Sequence, residues 1–422
     1  MMDDIISTVE FQMSLLLFIA LGGYLLATRI HQSAVIGEIL VGLIVGPSLL
    51  GLITYTDFVQ SLASLGAIIL LFVIGFEFEL SDITDWRYGM IALIGVIVSW
   101  FGGYTISVFF NMDFFTAIFV GTALTATSIA ITANVLREMG KLHQPFAKAI
   151  IGAAVIDDIL SLIVLSICRD IGANGELLPM DVFMTITKSI GFVVIAAFFG
   201  IKTIPPLLSH MDSTKLVRTF PEFVFIFAMM VAFFYAMAAE CVGMSAIVGA
   251  FLAGMCVNRV SLKHSLDIKL GAEYLYIIFT AIFFVSLGII ADLQYLFGKF
   301  EILWFIVALI LVAIITKVVG CGLSAHLLGM PVHDSIIIGF GMVPRGEVAM
   351  IVGLIALTHF QDMAITATDA IQKEYFLQLG NEVFIAIVLM SLVTTIVVPL
   401  VYRDWLFRIQ KKTTNLNDEI SP

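Results

Sequence analysis

Charged residues occupy only 13% of the 422 positions, and that scarcity sets the first limit on what the chain can be. Soluble domains carry roughly a quarter charged residues. Here 60% of the residues are apolar and the mean hydropathy is +1.09, which excludes a water-soluble fold. A clustered basic surface is also missing, and the net charge is −11, so nucleic acid is not an expected partner. The four cysteines, Cys168, Cys241, Cys256 and Cys321, show no C-x-x-C spacing, which argues against a disulfide framework and a zinc site. The opening residues MMDDIISTVE lack the basic leader of a secretory signal, so the first apolar run is expected to persist in the mature protein.

What the chain does have is apolar runs of about 20 residues, the length that crosses a hydrocarbon core of about 30 Å. They recur from Phe11 to Tyr402 with short polar breaks. The pattern predicts an all-α polytopic membrane protein of thirteen spans. These fall near 11–27, 34–52, 60–76, 88–110, 114–135, 147–169, 182–204, 219–239, 244–258, 273–291, 302–324, 333–358 and 378–402. Placing the N-terminus outside puts fifteen basic residues in inner segments: Arg29; Arg87; Arg137, Lys141, Lys148; Lys202, Lys215, Arg218; Arg259, Lys263, Lys269; Arg403, Arg408, Lys411, Lys412. Only Arg169, Lys299 and Lys373 fall outside. The positive-inside rule therefore predicts an outer N-terminus and a cytoplasmic C-terminus in the cell membrane. Lys188, Lys317 and Arg345 remain within spans.

An internal repeat is visible. SAVIGEILVG from Ser33 matches SAIVGAFLAG from Ser245, and LFVIGFEFEL from Leu71 aligns with FVSLGIIADL from Phe284. Gly37 and Gly75 lie 38 residues apart, and Gly249 and Gly288 lie 39 apart. Each partner is seven spans from its copy, and an odd offset inverts the second copy. Spans 1–6 and 8–13 thus read as two inverted six-helix repeats joined by span 7, an architecture of secondary transporters.

Asp157 and Asp158, in GAAVIDDILSL, fall at the middle of span 6. One central Asp costs about 2.5–3.5 kcal/mol to insert, so an adjacent pair must face water or a cation. Successive helical residues point about 100° apart, so one carboxylate can face a cavity while the other meets a neighbouring helix. Lys317, in AIITKVVGCGL, is the candidate cation, unless it snorkels to the interface. A proton or cation arriving at the aspartates would release or neutralise that lysine, which is the coupling an exchanger needs. Spans 5 and 12 read as discontinuous. Span 5 holds GTALTATSIAIT, whose Thr125, Thr127 and Ser128 can offer oxygens to a partly dehydrated cation, or bond their own backbone. Span 12 holds GFGMVPRGEVAM, where Pro344 breaks the helix and Arg345 with Glu347 is expected to pair across the break. Glu38 is a candidate for the inner funnel or merely an interfacial group. Glu77 and Glu79 read as solvated, and the histidines, such as His31, His143, His264 and His333, as loop or span-end residues.

With VIGEILVG, TALTATSIAITANVL, GAAVIDDILSLIVL, TKVVG and GMVPRGEVAMIVG all present, the chain resembles the cation:proton antiporter-2 family over almost its whole length, and within it the NapA-type sodium/proton antiporters. The resemblance implies Asp158 as the principal ion-binding carboxylate, Asp157 paired with Lys317, Thr127 and Ser128 near the ion, and spans 5 and 12 crossing. It implies a homodimer in membrane lipid. Scaffold segments (1–87 and 219–301) would flank core segments (88–170 and 302–402), with a linker at 171–218 and a tail at 403–422. It implies electrogenic antiport, two H⁺ per Na⁺, by elevator-like alternating access, with no cofactor beyond the transported Na⁺ and H⁺. Li⁺ or K⁺ as cargo stays open. Two rivals are weaker. An intramembrane aspartyl protease needs G-x-G-D, where GFGM has Met342. A sodium-coupled organic-anion symporter shares the inverted-repeat logic.

Overall fold

The computed structural model describes residues 8–79, 82, 85–174, 179–258, 267–291, 300–366 and 369–406, and among them the regular elements are all helices. His264, Lys263 and Arg408 lie outside the described residues. The α-helices of ten or more residues, in chain order, are α1 (Val9–Arg29), α2 (Ala34–Val45), α3 (Asp57–Gly75), α4 (Trp86–Phe109), α5 (Phe114–Ala123), α6 (Ile129–Glu138), α7 (Pro145–Asn174) and α8 (Pro179–Asp212). They continue with α9 (Phe223–Cys241), α10 (Ala246–Val257), α11 (Ile268–Ile289), α12 (Phe300–Lys317), α13 (Val332–Gly341), α14 (Glu347–Thr366) and α15 (Ala370–Val401). Among the described residues, ten helices are long and apolar enough to cross a membrane, and α2, α5, α10 and α13 are shorter apolar helices. Many large apolar side chains point outward from these helices, Phe18, Phe198, Trp304 and Ile365 among them, as a hydrocarbon solvent permits.

Starts and stops follow local chemistry. Thr8, Thr56, Asp85, Asp113, Ser245, Asp267 and Asp369 each cap a helix N-terminus through a side-chain oxygen. The turns at Gly51, Gly140, Gly243 and Gly329 have positive φ, which glycine adopts without strain. After Lys317 the chain widens into a π turn, Val318–Leu323, before continuing as Ser324–Leu327.

Two packed groups result. In one, α11 lies against α2 and α3, α10 against α3, α9 against α10, and α1 against α2. In the other, α4 holds α5, α7 and α12, and α14 packs on α15 and α5. Helices approach most closely at glycines. A Cβ on Gly37 would sit 2.0 Å from the Gly23 carbonyl of α1, and one on Gly249 would sit 2.1 Å from the Tyr235 carbonyl of α9. A Cβ on Gly75 would fall 2.5 Å from the Phe251 carbonyl of α10, and one on Gly288 would fall 2.2 Å from the Ile39 carbonyl of α2. In lipid such backbone contact is what holds helices together, because no hydrophobic force separates them from the solvent. Gly75→Ala and Gly288→Ala should each lower stability by about 1–3 kcal/mol through overpacking. Gly191→Ala, where a Cβ meets nothing within 4 Å, should leave it unchanged or slightly raised. Thermal unfolding in detergent reads the difference, and equal melting of all three variants would remove the packing argument.

Candidate functional site

Two interrupted helices build the site. Between α5 and α6 the chain unwinds over Leu124–Ser128, and between α13 and α14 over Met342–Gly346. The two breaks cross and bond each other. Ser128 N donates to Pro344 O (2.8 Å), Thr127 Oγ1 to Met342 O (3.2 Å) and Thr132 Oγ1 to Gly341 O (2.6 Å). A Cβ on Gly346 would sit 2.8 Å from the Ser128 side chain, so this crossing needs glycine there.

Arg345 satisfies the carbonyls that the breaks set free. It is 1% exposed, and its guanidinium donates to Ala126 O (2.8 Å) in the first break and to Ala313 O (3.3 Å) on α12. Its own backbone is held by Thr394 and Thr395 of α15. On the arginine's side the acceptors seen are main-chain carbonyls; the side chain of Glu347, its expected partner, lies outside the described residues. Freed carbonyls at membrane depth have no water to bond, and a guanidinium with five donors serves them where a carboxylate cannot.

Asp157 and Asp158 diverge as adjacent helical residues must. Asp157 Oδ1 accepts from Lys317 Nζ at 2.7 Å, with both side chains 0% exposed, so Lys317 does not snorkel. The other oxygen of Asp157 accepts no hydrogen bond among the described residues. Lys317 is the last residue before the π turn, whose buried Cys321 packs beside Gly95 of α4. A Cβ on Gly95 would sit 2.3 Å from Cys321 Sγ and 3.9 Å from Lys317 Nζ. Asp158 instead borders a small pocket of about 20 Å³ with Thr127, Ser128, Gly346 and Ser245, room for about one water-sized occupant. The N-terminal ends of α6 and α14 border the same pocket, and their partial positive charge offsets part of the carboxylate's charge. Of the three hydroxyls read from span 5, Thr125 bonds back to Thr122 O, so only Thr127 and Ser128 line the pocket.

Ser245, Ile247 and Val348 also line a second cavity of about 990 Å³, which runs between α7 and α14 on one side and α3, α8 and α10 on the other. Tyr55, Asp181 and Glu240 place its mouth at the face where α1, α3 and α8 begin, here the upper face. On the lower face polar contacts bridge the two packed groups. Arg137 Nη2 meets Glu273 Oε1 at 3.0 Å, Ser33 Oγ donates to Glu138 at 2.5 Å, and Tyr276 bonds Asn134. Lys148 pairs with Asp82 at 2.6 Å. Partial burial works against ionising Asp82, but the Lys148 bond, the Glu79 backbone N–H and the Lys148 and His143 charges together outweigh it and hold the carboxyl below its ordinary range. Glu77, expected to be solvated, instead joins Lys269 (2.5 Å) and His143 (3.0 Å). Glu38, on α2, is 2% exposed and therefore not interfacial. His359, in mid-helix among the Phe115, Phe119 and Phe360 rings, departs from the loop and span-end placement of the histidines.

A helical membrane bundle with crossed broken helices around an aspartate pair is the site of an ion transporter rather than of an enzyme. Residues 16–407 match the model of the family described as sodium/hydrogen exchanger, transmembrane. The chain belongs to that family of monovalent cation:proton antiporters. It is 33% identical to the probable Na⁺/H⁺ antiporter GerT of Bacillus cereus, over 79% of this chain and 86% of that one. It is 32% identical to the Na⁺/H⁺-K⁺ antiporter GerN of the same organism, over 81% and 87%. The sodium proton antiporter MjNhaP1 from Methanocaldococcus jannaschii shares the fold, with a TM-score of 0.69 at 15% identity over 95% of this chain and 98% of that one.

Removing one member of a buried pair strands the other, at a cost of about 3–5 kcal/mol. Lys317→Ala should therefore melt well below the parent, and Asp157→Asn with Lys317→Ala should recover part of the loss. A single Lys317→Ala variant that melts with the parent in detergent would contradict the pairing.

Proposed function

We propose that this antiporter exchanges Na⁺ for H⁺, with Asp158 carrying the ion. Supporting this is one arrangement: Asp158 borders the small pocket below the large cavity, while Asp157 one residue away is locked to Lys317. Thr127 and Ser128 add oxygens to the same pocket. Proton or Na⁺ occupancy at Asp158 alters the field at the Asp157–Lys317 pair, and that pair then takes up or releases the second proton of the cycle. Two protons against one Na⁺ move one net charge. At 100 mV that charge supplies about 2.3 kcal/mol, enough by itself for a roughly fifty-fold sodium gradient. Each pH unit adds about 1.36 kcal/mol per proton.

In this reading the packed group of α4–α7 and α12–α15 is the moving core, and α1–α3 with α9–α11 the scaffold of a homodimer, divided at the segment bounds given above. Counting α5 with α6 and α13 with α14 as single passes gives thirteen spans. The inverted repeat gains support from its glycines: Gly75 packs on α10 and Gly288 on α2, each copy in the other's place. The upper face is the outside of the cell membrane, so the described conformer opens outward. The GerN name, which includes K⁺, keeps K⁺/H⁺ exchange as the alternative cargo.

Asp158→Asn should abolish exchange in proteoliposomes, read as sodium-triggered recovery of a quenched pH dye. Imposing an inside-negative or inside-positive voltage should change the parent rate in opposite directions. Exchange that survives Asp158→Asn removes the ion-site assignment, and a rate indifferent to voltage removes the net charge. Scanning Na⁺, Li⁺ and K⁺ in the same vesicles decides the cargo.

A further inference from the structure

Lys188, Lys317 and Arg345 are the basic residues that fall within the expected spans, and the last two are bound into the site. Lys188 has no part in it so far. It lines the large upper cavity from α8, is exposed there, and makes no hydrogen bond or ion pair among the described residues. A lysine that faces lipid snorkels to the interface and needs no further account. One that faces the route of a cation does, because it repels what the route must carry.

The neighbouring helices fix its depth. Thr185 Oγ1 of α8 donates to Ser166 Oγ of α7 at 3.5 Å, which sets the register between the descending α8 and the ascending α7. Ser166 is eight residues above Asp158, and Lys188 is three residues below Thr185. At 1.5 Å per residue, Lys188 lies about 7–8 Å above the level of Asp158. The large cavity and the Asp158 pocket share Ser245, Ile247 and Val348, so an ion that reaches Asp158 from the upper face passes this ammonium.

The other charged residues lining the cavity are Asp181 and Glu240, in the first turn of α8 and the last turn of α9, and so at its mouth. The vestibule is therefore layered, with carboxylates at the rim, one ammonium beneath them and Asp158 at the bottom. Leu162, Leu165, Ile351 and Leu354 supply apolar wall between these layers. Low-dielectric walls focus a charge's field along the water they enclose. The repulsion is proportional to the charge of the ion, so the factor by which Lys188 weakens a monovalent cation is squared for a divalent one. Carboxylate and other hard oxygens are what Ca²⁺ seeks, so a pocket of Asp158, Thr127 and Ser128 does not by itself refuse it.

We propose that Lys188 is a specificity-determining residue, an electrostatic filter that favours monovalent over divalent cations on the way from the upper face to Asp158. Asp181 and Glu240 gather cations of either charge at the rim. Lys188 then penalises the divalent ones more. This rests on the reading that Asp158 binds the transported ion.

The test uses the full-length protein in proteoliposomes of uniform orientation, at low ionic strength, with Na⁺ and Ca²⁺ applied to the upper-face side. Ca²⁺ is close to Na⁺ in size and twice its charge, so it isolates the effect of charge. Lys188→Gln should lower the KM for Na⁺ about threefold, the size expected of one charge roughly 10 Å away across wet space, and strengthen block by Ca²⁺ about tenfold. Lys188→Glu should move both further in the same direction, and Lys188→Arg should restore the parent values. A non-transported salt such as choline chloride should shrink every difference. Ca²⁺ applied to the lower-face side should act equally on parent and variant. A Lys188→Gln protein that melts with the parent in detergent, yet keeps the parental KM and Ca²⁺ block, overturns the proposal. So does one in which both shift by the same factor, one in which kcat changes in place of KM, or an absence of Ca²⁺ block with and without the lysine. Asp158→Asn in the same vesicles separates the failures. Exchange persisting there defeats the function proposed above, whereas silent Asp158→Asn with unaltered Ca²⁺ block in Lys188→Gln defeats only the filter.

Discussion

Two charges without exposed surface, the Lys317 ammonium and the Asp157 carboxylate, face each other at 2.7 Å inside an apolar bundle. Much of the surrounding architecture follows from keeping them together. Each ion alone would cost several kcal/mol to bury, so the pair exists only if both backbones are held to within bonding distance. On the Lys317 side the chain leaves α-helical geometry for a π turn immediately after the lysine, and that turn lies against Gly95, where a methyl group would strike Cys321. On the Asp157 side the helix is continuous from Pro145 to Asn174, so fixing Asp157 also fixes Asp158 and directs it to the pocket.

The same economy governs the crossed breaks. Opening a helix in hydrocarbon frees carbonyl and N–H groups that lipid cannot bond. Here they are bonded by the opposite break, by Thr127 and Thr132, and above all by Arg345, which ties the break after α5 to Ala313, one turn before Lys317. One buried guanidinium thus joins the crossing to the helix that bears the lysine. A chain of specific bonds, rather than simple nearness, thus links the breaks to the helix of the Asp157–Lys317 pair.

How much of this the sequence discloses depends on the range of each interaction. The central aspartates, their divergence on one helix and the two helix breaks are legible because periodicity, Pro344 and the hydroxyl run are local signals. The glycine spacing is legible too, since Gly37, Gly75, Gly249 and Gly288 recur in register, and each proves to be a point where a Cβ would meet backbone. The carbonyl acceptors of Arg345 are not legible, because Ala126 and Ala313 lie far away in sequence. Glu77 is misread for the same reason: its partner Lys269 lies 192 residues on. Nothing local announces that Ser33 will meet Glu138 or Arg137 will meet Glu273, because these contacts exist only once both packed groups are in place. His359 escapes because its aromatic surroundings come from α5 as well as its own helix.

The polar chemistry is therefore distributed unevenly across the bundle, and the unevenness has a direction. At the upper face the two packed groups stand apart around a large cavity, while at the lower face they are joined by ion pairs and hydrogen bonds between residues that are mostly part-buried. Such contacts are individually weak when wet, about 0–1 kcal/mol each. A seam made of many weak contacts can open and close without a large barrier, whereas a seam of buried apolar side chains would fix one state. The strong, fully desolvated bond is reserved for Asp157 and Lys317 within one group, and the weak, exchangeable ones for the boundary between groups. That division leaves the boundary between the groups easier to break than the ion pair inside one of them.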